Sequence, residues 1–558
     1  MSRRRVVIVG GVAGGMSCAT RLRRLDEEAS IVVVERSGHV SYANCGLPYF
    51  IGGIIEDERD LLLMTPEGLH ARFRLDVRVH TEVVAIDTVG HRVTLHGPHG
   101  DTTEEEYDSL VLSPGAAPVR PALPGFDRVA VLRTVEDAER LADQASEQPR
   151  SAVVIGAGFV GLETAENLAR RGILTTVVEA APQVLTPLDP ELAVLVAAEL
   201  RRNGIAVETG VGVVATHDDG VVLDDGRTIP ADVVVAAIGV RPDVRLAELA
   251  GLDLGPNGGI AVDYHGCTSV PDVYAVGDAV EKADSVGGGS SLIALANIAN
   301  RQGRRVADHI CGRSVRPMAS LGTAIVRVFG LTAAMTGWNE RRLQAAGRKY
   351  RVVHSHPMSH AGYYPGAEPM SLKLLFDPKD GTILGAQGVG GDGVDKRIDV
   401  LATAMAAGLG AMDLADLELA YAPPFSSAKD PVNMLGYMAE NVLVGDCDVI
   451  QADELATVSQ DWTVLDVRTT AEHGRGAIPG SVNAPLEVLR ERVSSGSVGT
   501  GPFVVYCEVG QRGHTATALL RELGMEARNL DGGYRTWQAT DAALSGDPQR
   551  VARLRSRD

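Results

Sequence analysis

Short apolar runs punctuate the chain. Residues 6–9 (VVIV), 31–34 (IVVV) and 152–155 (AVVI) are each flanked by polar or glycine-rich stretches. Runs this short and this uniformly apolar predict parallel strands buried on both faces. Helical patterns lie between them, one reaching Leu25 and one in residues 159–168 (FVGLETAENL). Strands alternating with helices predict an α/β fold. Residues 107–116 (YDSLVLSPGA) predict a strand that breaks into a Ser-Pro-Gly turn. Residues 268–279 (TSVPDVYAVGDA) predict a strand ending at Gly277-Asp278, and strand-like stretches recur at 324–329 and 371–376, with a helix after Asp395.

Length adds that 558 residues are too many for one core, so several domains are expected. Net charge is −19, from 53 basic and 72 acidic residues, which argues against a nucleic-acid-binding surface. Membrane spans need about 18 or more consecutive apolar residues, and no such run occurs. The opening SRRRVVIVGG has too short an apolar core for a signal peptide. Cys18, Cys45, Cys267, Cys311, Cys447 and Cys507 are scattered, with no C-x-x-C pair. That spacing suits isolated thiols in a reducing cytoplasm and holds no metal signature.

Two glycine clusters carry the first chemistry. The strand at 6–9 enters GGVAGG (10–15), and the strand at 31–34 ends at Glu35. Glycines there let a backbone approach a pyrophosphate at a helix N-terminus, and the acid binds a ribose hydroxyl. Val12 stands where the middle glycine of G-x-G-x-x-G is expected. The second cluster supplies Gly156, Gly158 and Gly161, followed by a strand ending at Glu179. A carboxylate at that position repels a 2′-phosphate, so NADH is favoured, with NADPH left open. Residues 41–53 (SYANCGLPYFIGG) place Cys45 shortly after Glu35. Tyr42, Asn44, Gly46 and Pro48 predict a turn there, with the thiol beside the first cofactor.

Together these segments resemble the pyridine nucleotide–disulfide oxidoreductases, flavoproteins with two dinucleotide-binding domains. The resemblance implies FAD contacts from Gly10, Val12, Ala13, Gly14, Glu35, Arg36, Val83, Ser113, Pro114, Gly115, Gly277, Asp278, Ala294 and Ala296. It implies NAD(P)H contacts from Gly156, Gly158, Phe159, Val160, Gly161, Glu179 and Gly239. Many members carry C-x-x-x-x-C, but the residue five after Cys45 is Phe50. The chain therefore resembles the single-cysteine branch of NADH oxidases, peroxidases and coenzyme A-disulfide reductases. Such a thiol cycles through a sulfenic acid or pairs with an external thiol.

HAGYYPGA (360–367) and YAPPFSSAKDPVN (421–433) resemble the coenzyme A-disulfide reductases. In that family a tyrosine from each segment crosses the homodimer to the partner's cysteine. The matching positions are Tyr363 and Tyr421, with Tyr364 competing for the first role. The family's coenzyme A groove maps onto Ser17, Arg21, Arg24, Ser41, Asn44, Asn300 and Lys429. Arginines suit its phosphates, although Arg21 and Arg24 equally fit a solvated helix face. Where relatives carry a lysine, this chain has Phe73 between Arg72 and Arg74.

Residues 463–485, 504–516 and 530–537 resemble a rhodanese domain. Its centre is a strand, then Cys507, then a loop to Arg512 and a helix, a geometry that points backbone N–H groups at a sulfur. The fold expected is therefore α/β, with two Rossmann-like domains, an α+β dimerisation domain and a C-terminal α/β rhodanese domain. The expected bounds are 1–116 with 250–320 for FAD, 117–249 for NAD(P)H, 321–444 for dimerisation, 445–455 as linker and 456–548 for rhodanese. The expected activity is NAD(P)H-dependent, FAD-mediated reduction of coenzyme A disulfide, coenzyme A persulfide or polysulfide at Cys45, with Cys507 and Arg512 handling sulfane sulfur. The alternatives are an NADH oxidase or peroxidase using a sulfenic acid, and a redox-sensing sulfur carrier.

Overall fold

The computed structural model describes residues 4–458 and 461–546, so the expected end of the last domain at 548 lies outside the described residues. The chain forms two compact units, Met1–Ala180 with Val211–Ser320, and Ala181–Gly210 with Leu321–Asp558.

In the first unit the strand Arg5–Val9 lies at the centre of a parallel sheet. Its order is Val273–Ala275, Ser109–Leu112, Arg5–Val9, Ser30–Val34, Asp76–Arg78. The uniformly apolar run now has its reason. Val6 and Ile8 pack on the side of the helix Ala13–Leu25, while Val7 and Val9 pack on the opposite face with Val83 and Leu95. Both faces are buried, so alternation would leave polar groups unsatisfied. A second parallel sheet joins Leu174–Glu179, Ser151–Ile155, Val233–Ala236 and Ala130–Val131.

In the second unit an antiparallel sheet runs Ala324–Val328, Leu331–Gly337, Ile383–Gly390, Met370–Phe376, Arg351–Ser355. The helices Val394–Ala407 and Pro431–Leu443 bury Ile398, Leu401, Val432 and Leu435 against it. A parallel sheet follows, ordered Val449–Ile450, Ala527–Leu530, Phe503–Tyr506, Thr463–Asp466, Val482–Asn483. Residues 449–450 fall in the stretch expected as linker, and they pair with Ala527–Leu530 as an edge strand. The mixed α/β architecture is the expected fold class. No helix among the described residues is long and apolar enough to cross a membrane.

Candidate active site

The first glycine loop is drawn tight against its neighbours. Gly10 has φ +96°, and a Cβ there would lie 2.1 Å from the Ser113 carbonyl oxygen. Only glycine fits such a turn. Glu35 holds the loop by accepting from the Gly11 N–H (2.9 Å) and from the Ser37 N–H (2.9 Å) and hydroxyl (2.8 Å). Val12 caps the helix Ala13–Leu25 without a side-chain hydrogen bond, so Ala13 and Gly14 begin an uncapped helix. An uncapped N-terminus presents free N–H groups and positive partial charge to an anion. Gly10, Glu35, Arg36, Val83, Pro114 and Asp243 line one groove at the sheet's C-terminal edge, and Arg36 pairs with Asp243 at 3.3 Å. Ser113, Gly14 and Gly277 converge beside it, with Gly277 held by Gln302 (3.0 Å). Asp278 follows Gly277, and Gly115 closes the strand-to-turn segment at φ +76°. Ala294 and Ala296 lie at the start of the helix Ala296–Ile310. This donor set fits a dinucleotide.

The second glycine loop repeats the plan. Gly158 caps the helix Phe159–Arg170 without a side-chain bond, and a Cβ on it would meet nothing. Glu179 accepts from the Ala157 N–H at 2.8 Å. Gly156 and Gly239 both have φ +100°, and Val160 is exposed at the helix start beside Gly161. An open helix N-terminus beside a strand-end carboxylate fits a second dinucleotide.

Cys45 lies in a 3₁₀ turn, Asn44–Gly46, that runs into the short helix Leu47–Ile51. The sequence predicted a turn throughout, but Pro48 sits at the helix start, where its missing N–H costs nothing. The segment is tied to the glycine loop by the Ser41 N–H donating to the Gly11 carbonyl (2.8 Å). Asn44 Oδ1 lies 3.8 Å from the Cys45 sulfur. Cys45 is exposed, yet desolvation by the surrounding chain, then the charges of Glu163 and Asp278, push its pKa up. Glu163 was not foreseen. Burial raises its pKa to about 7 against the opposing hydrogen bond from the Tyr49 hydroxyl (3.1 Å).

The positions expected for coenzyme A fall in both units. Ser17 donates to Asn300 Oδ1 at 2.8 Å, and Arg21 is bound to Asp308 at 2.6 Å, which ties two helices together. Arg24 is exposed. Lys429, in the second unit, lies 5.9 Å over the Tyr437 ring.

In that unit Tyr363 and Tyr421 are both exposed, and their hydroxyls meet at 3.1 Å. Tyr364 turns instead onto the edge of His360, with ring centroids 5.7 Å apart. The two segments share one support. Buried Arg397 donates to the Ser359 carbonyl (2.9 Å), Ser426 Oγ (3.2 Å) and Asp430 Oδ2 (3.1 Å).

Cys507 follows the strand Phe503–Tyr506 and is buried. Gly510, at φ +90°, turns the chain into the helix Gln511–Glu522. Arg512 forms a bidentate pair with Glu472 (2.9 and 2.6 Å), which holds that carboxyl down at about 2. Asp466 and Arg468 are buried against each other, with Arg468 stacked 4.1 Å over Tyr534.

Comparison with known proteins places these pieces. Residues 4–303 match the pyridine nucleotide-disulphide oxidoreductase family, residues 323–431 that family's dimerisation domain, and residues 451–540 a rhodanese-like domain. The chain is 34% identical to the coenzyme A disulfide reductase of Staphylococcus aureus (strain bovine RF122 / ET3-1), over 78% of this chain and 100% of that protein. It resembles the crystal structure of reduced CoADR-RHD from Bacillus anthracis at a TM-score of 0.95 and 44% identity, over 98% of this chain and 99% of the other. It resembles an NAD-dependent persulfide reductase from A. fulgidus at a TM-score of 0.89 and 38% identity, over 96% of this chain and 100% of the other.

Proposed function

Because this chain belongs to the pyridine nucleotide-disulphide oxidoreductase family, with a rhodanese-like domain appended, we propose that it reduces coenzyme A persulfide and polysulfide in preference to coenzyme A disulfide. It is an NAD(P)H-dependent FAD enzyme. Gly10, Glu35, Ser113 and Asp278 are the residues to hold FAD, and Gly156, Gly158 and Glu179 those to hold NADH. When bound, the flavin supplies Cys45 with an electron pair taken from the nicotinamide.

The observation that carries the reading is a lone thiol beside a dinucleotide groove, with Phe50 where a second cysteine would stand. Such a thiol needs an external sulfur partner. Cys45 attacks the sulfur–sulfur bond and forms a mixed disulfide with coenzyme A. A disulfide substrate releases a coenzyme A thiolate, and a persulfide releases HS⁻. Two electrons and a proton then restore Cys45 and free the second thiolate, which takes a proton. Glu163, near pH 7 in its affinity for protons, suits the exchange with the Cys45 thiol. Tyr363 and Tyr421, brought by a second copy of the chain, donate to the departing sulfur. The dimerisation domain supports a homodimer.

The rhodanese-like domain favours persulfides, because simple disulfide reduction has no use for a sulfane-sulfur site. Cys507, at a helix N-terminus beside Arg512, suits a persulfide anion. All six cysteines are free, which supports a reducing cytoplasm. Anaerobic kinetics with NADH test the reading, coenzyme A disulfide being compared with coenzyme A persulfide and sulfide measured. A larger kcat/KM for the persulfide, with one sulfide per NADH, is expected. A preference for the disulfide without sulfide release would refute the persulfide assignment.

A further inference from the structure

The strand Arg351–Ser355 of the antiparallel sheet carries His354, which is 3% exposed. Its backbone N–H donates to Asp531 Oδ1 at 3.0 Å, and its ring Nδ1 lies 2.7 Å from Asp531 Oδ2. Nε2 lies 3.1 Å from Glu191 Oε1. Both ring nitrogens face carboxylates, the arrangement of an imidazolium donating twice. Burial alone would lower its pKa, but Asp531 and Glu191 outweigh that and raise it to about 9. The other cation of the cluster is Lys373, gripped by Asp189, Glu191 and Glu340. Two residues on, His356 lies 2.7 Å from Thr536 Oγ1.

Asp531 opens a turn through Gly532 and Gly533, which have φ +63° and +64°. A Cβ on Gly532 would meet the His354 Cβ at 2.9 Å, and one on Gly533 would meet the Cys507 carbonyl oxygen at 2.5 Å. Beyond the turn the Tyr534 N–H donates to the Cys507 carbonyl (2.8 Å) and the Arg535 N–H to the Glu508 carbonyl (3.0 Å). One side of this turn is held by His354, and its other side holds the backbone of Cys507.

We propose that His354 is a positioning residue for Cys507: by clamping Asp531, the antiparallel domain sets the rhodanese loop for sulfur transfer. The proposal rests on the reading of Cys507 as a sulfur-transfer centre. The rhodanese segment is then not a passive appendage, since its reactive loop is completed by a strand from the preceding domain.

Two variants of the full-length, flavin-loaded protein separate the contacts. His354→Asn keeps an N–H donor where Nδ1 faces Asp531 and gives up the reach to Glu191. His354→Gln does the reverse. Thiosulfate-to-cyanide sulfurtransfer is measured as kcat and KM, and Cys507 alkylation by iodoacetamide is followed against pH by peptide mass spectrometry. His354→Gln is expected to lower sulfurtransfer kcat by about tenfold and to move the alkylation profile, with His354→Asn restoring most of both. Reduction of coenzyme A disulfide should stay unchanged in each. Equal losses in Asn and Gln, an unmoved alkylation profile, or a parallel loss of disulfide reduction would overturn the proposal. Should the Gln protein fail to fold, Asp531→Asn weakens the same clamp from the other side and takes the same readouts. A wild type without sulfurtransfer would sink the reading of Cys507, while the alkylation profile still decides the clamp.

Discussion

Arg397→Met removes one guanidinium from beneath both tyrosine segments. Arg397 is 1% exposed, and Asp430, its charged partner at 3.1 Å, is 3% exposed. Breaking a buried ion pair by deleting one member costs about 3–5 kcal/mol, because the other charge stays buried. Asp430 would keep the Ser426 hydroxyl (2.5 Å), the Val432 N–H (3.0 Å) and Lys396 at 3.6 Å, which puts the loss near the lower end, about 3 kcal/mol. The sign with pH is fixed. Burial would raise the Asp430 carboxyl, yet the bonds from Ser426 and Val432 and the charges of Arg397 and Lys396 hold it below the ordinary range. Its contribution is present above the unfolded pKa and is lost as pH falls through the folded one. The gap between wild type and variant should therefore narrow in acid. Urea unfolding followed by tryptophan fluorescence reads this unit, which contains Trp338, Trp462 and Trp537, all the tryptophans of the chain. Loosened segments lose the 3.1 Å meeting of Tyr363 and Tyr421, and a positioned proton donor is worth about 100-fold or more. Reduction of coenzyme A disulfide should fall at least about tenfold, with sulfurtransfer by Cys507 spared. Full disulfide reduction together with a stability loss under about 1 kcal/mol would refute the reasoning.

Cys45→Ser should abolish reduction of disulfide and persulfide alike, whereas Cys507→Ser should spare coenzyme A disulfide and weaken polysulfide use. Steady-state NADH oxidation with each acceptor separates the two, and equal losses in Cys507→Ser would contradict a division of labour. Glu163→Gln should flatten the limb of the pH–rate profile near pH 7, since the carboxyl that titrates at about 7 is gone. An unchanged limb would assign that ionisation elsewhere. Glu179→Ala should raise the NADPH-to-NADH ratio of kcat/KM about tenfold or more, because it removes the carboxylate that repels a 2′-phosphate.

What the sequence showed and what it hid divide along a physical line. Gly10 and Gly156 were legible because their close approaches admit nothing larger. Gly15 was passed over in favour of Gly14, although a Cβ on Gly15 would lie 1.9 Å from the Gly10 carbonyl oxygen. Val12 stands in place of the middle glycine at the N-cap of the helix Ala13–Leu25, with no side-chain hydrogen bond. Arg21 was read as a phosphate ligand or a solvated arginine; in the structure it pairs with Asp308, which lies 287 residues away in sequence and which no local pattern announces. Glu163, His354 and Arg397 were silent for the same reason. A shifted pKa or a shared support arises from partners that only the fold assembles.

The two cysteines proposed as reactive have different charged neighbours, and that contrast argues for two roles rather than one duplicated role. Around Cys45 the charges are Glu163 and Asp278, both carboxylates, and with burial they disfavour a thiolate. In the proposed reaction such a thiol attacks a sulfur–sulfur bond once a nearby group takes its proton, a role that fits Glu163 beside Tyr49. Around Cys507 the helix Gln511–Glu522 begins, and Arg512 is steered by Glu472 within range of its sulfur. The helix N-terminus and the guanidinium, itself paired with Glu472, are the surroundings proposed for holding a persulfide. In the proposed division of labour one cysteine serves reduction and another carriage, and His354, through Asp531, ties the second of these to the domain that also carries the tyrosines.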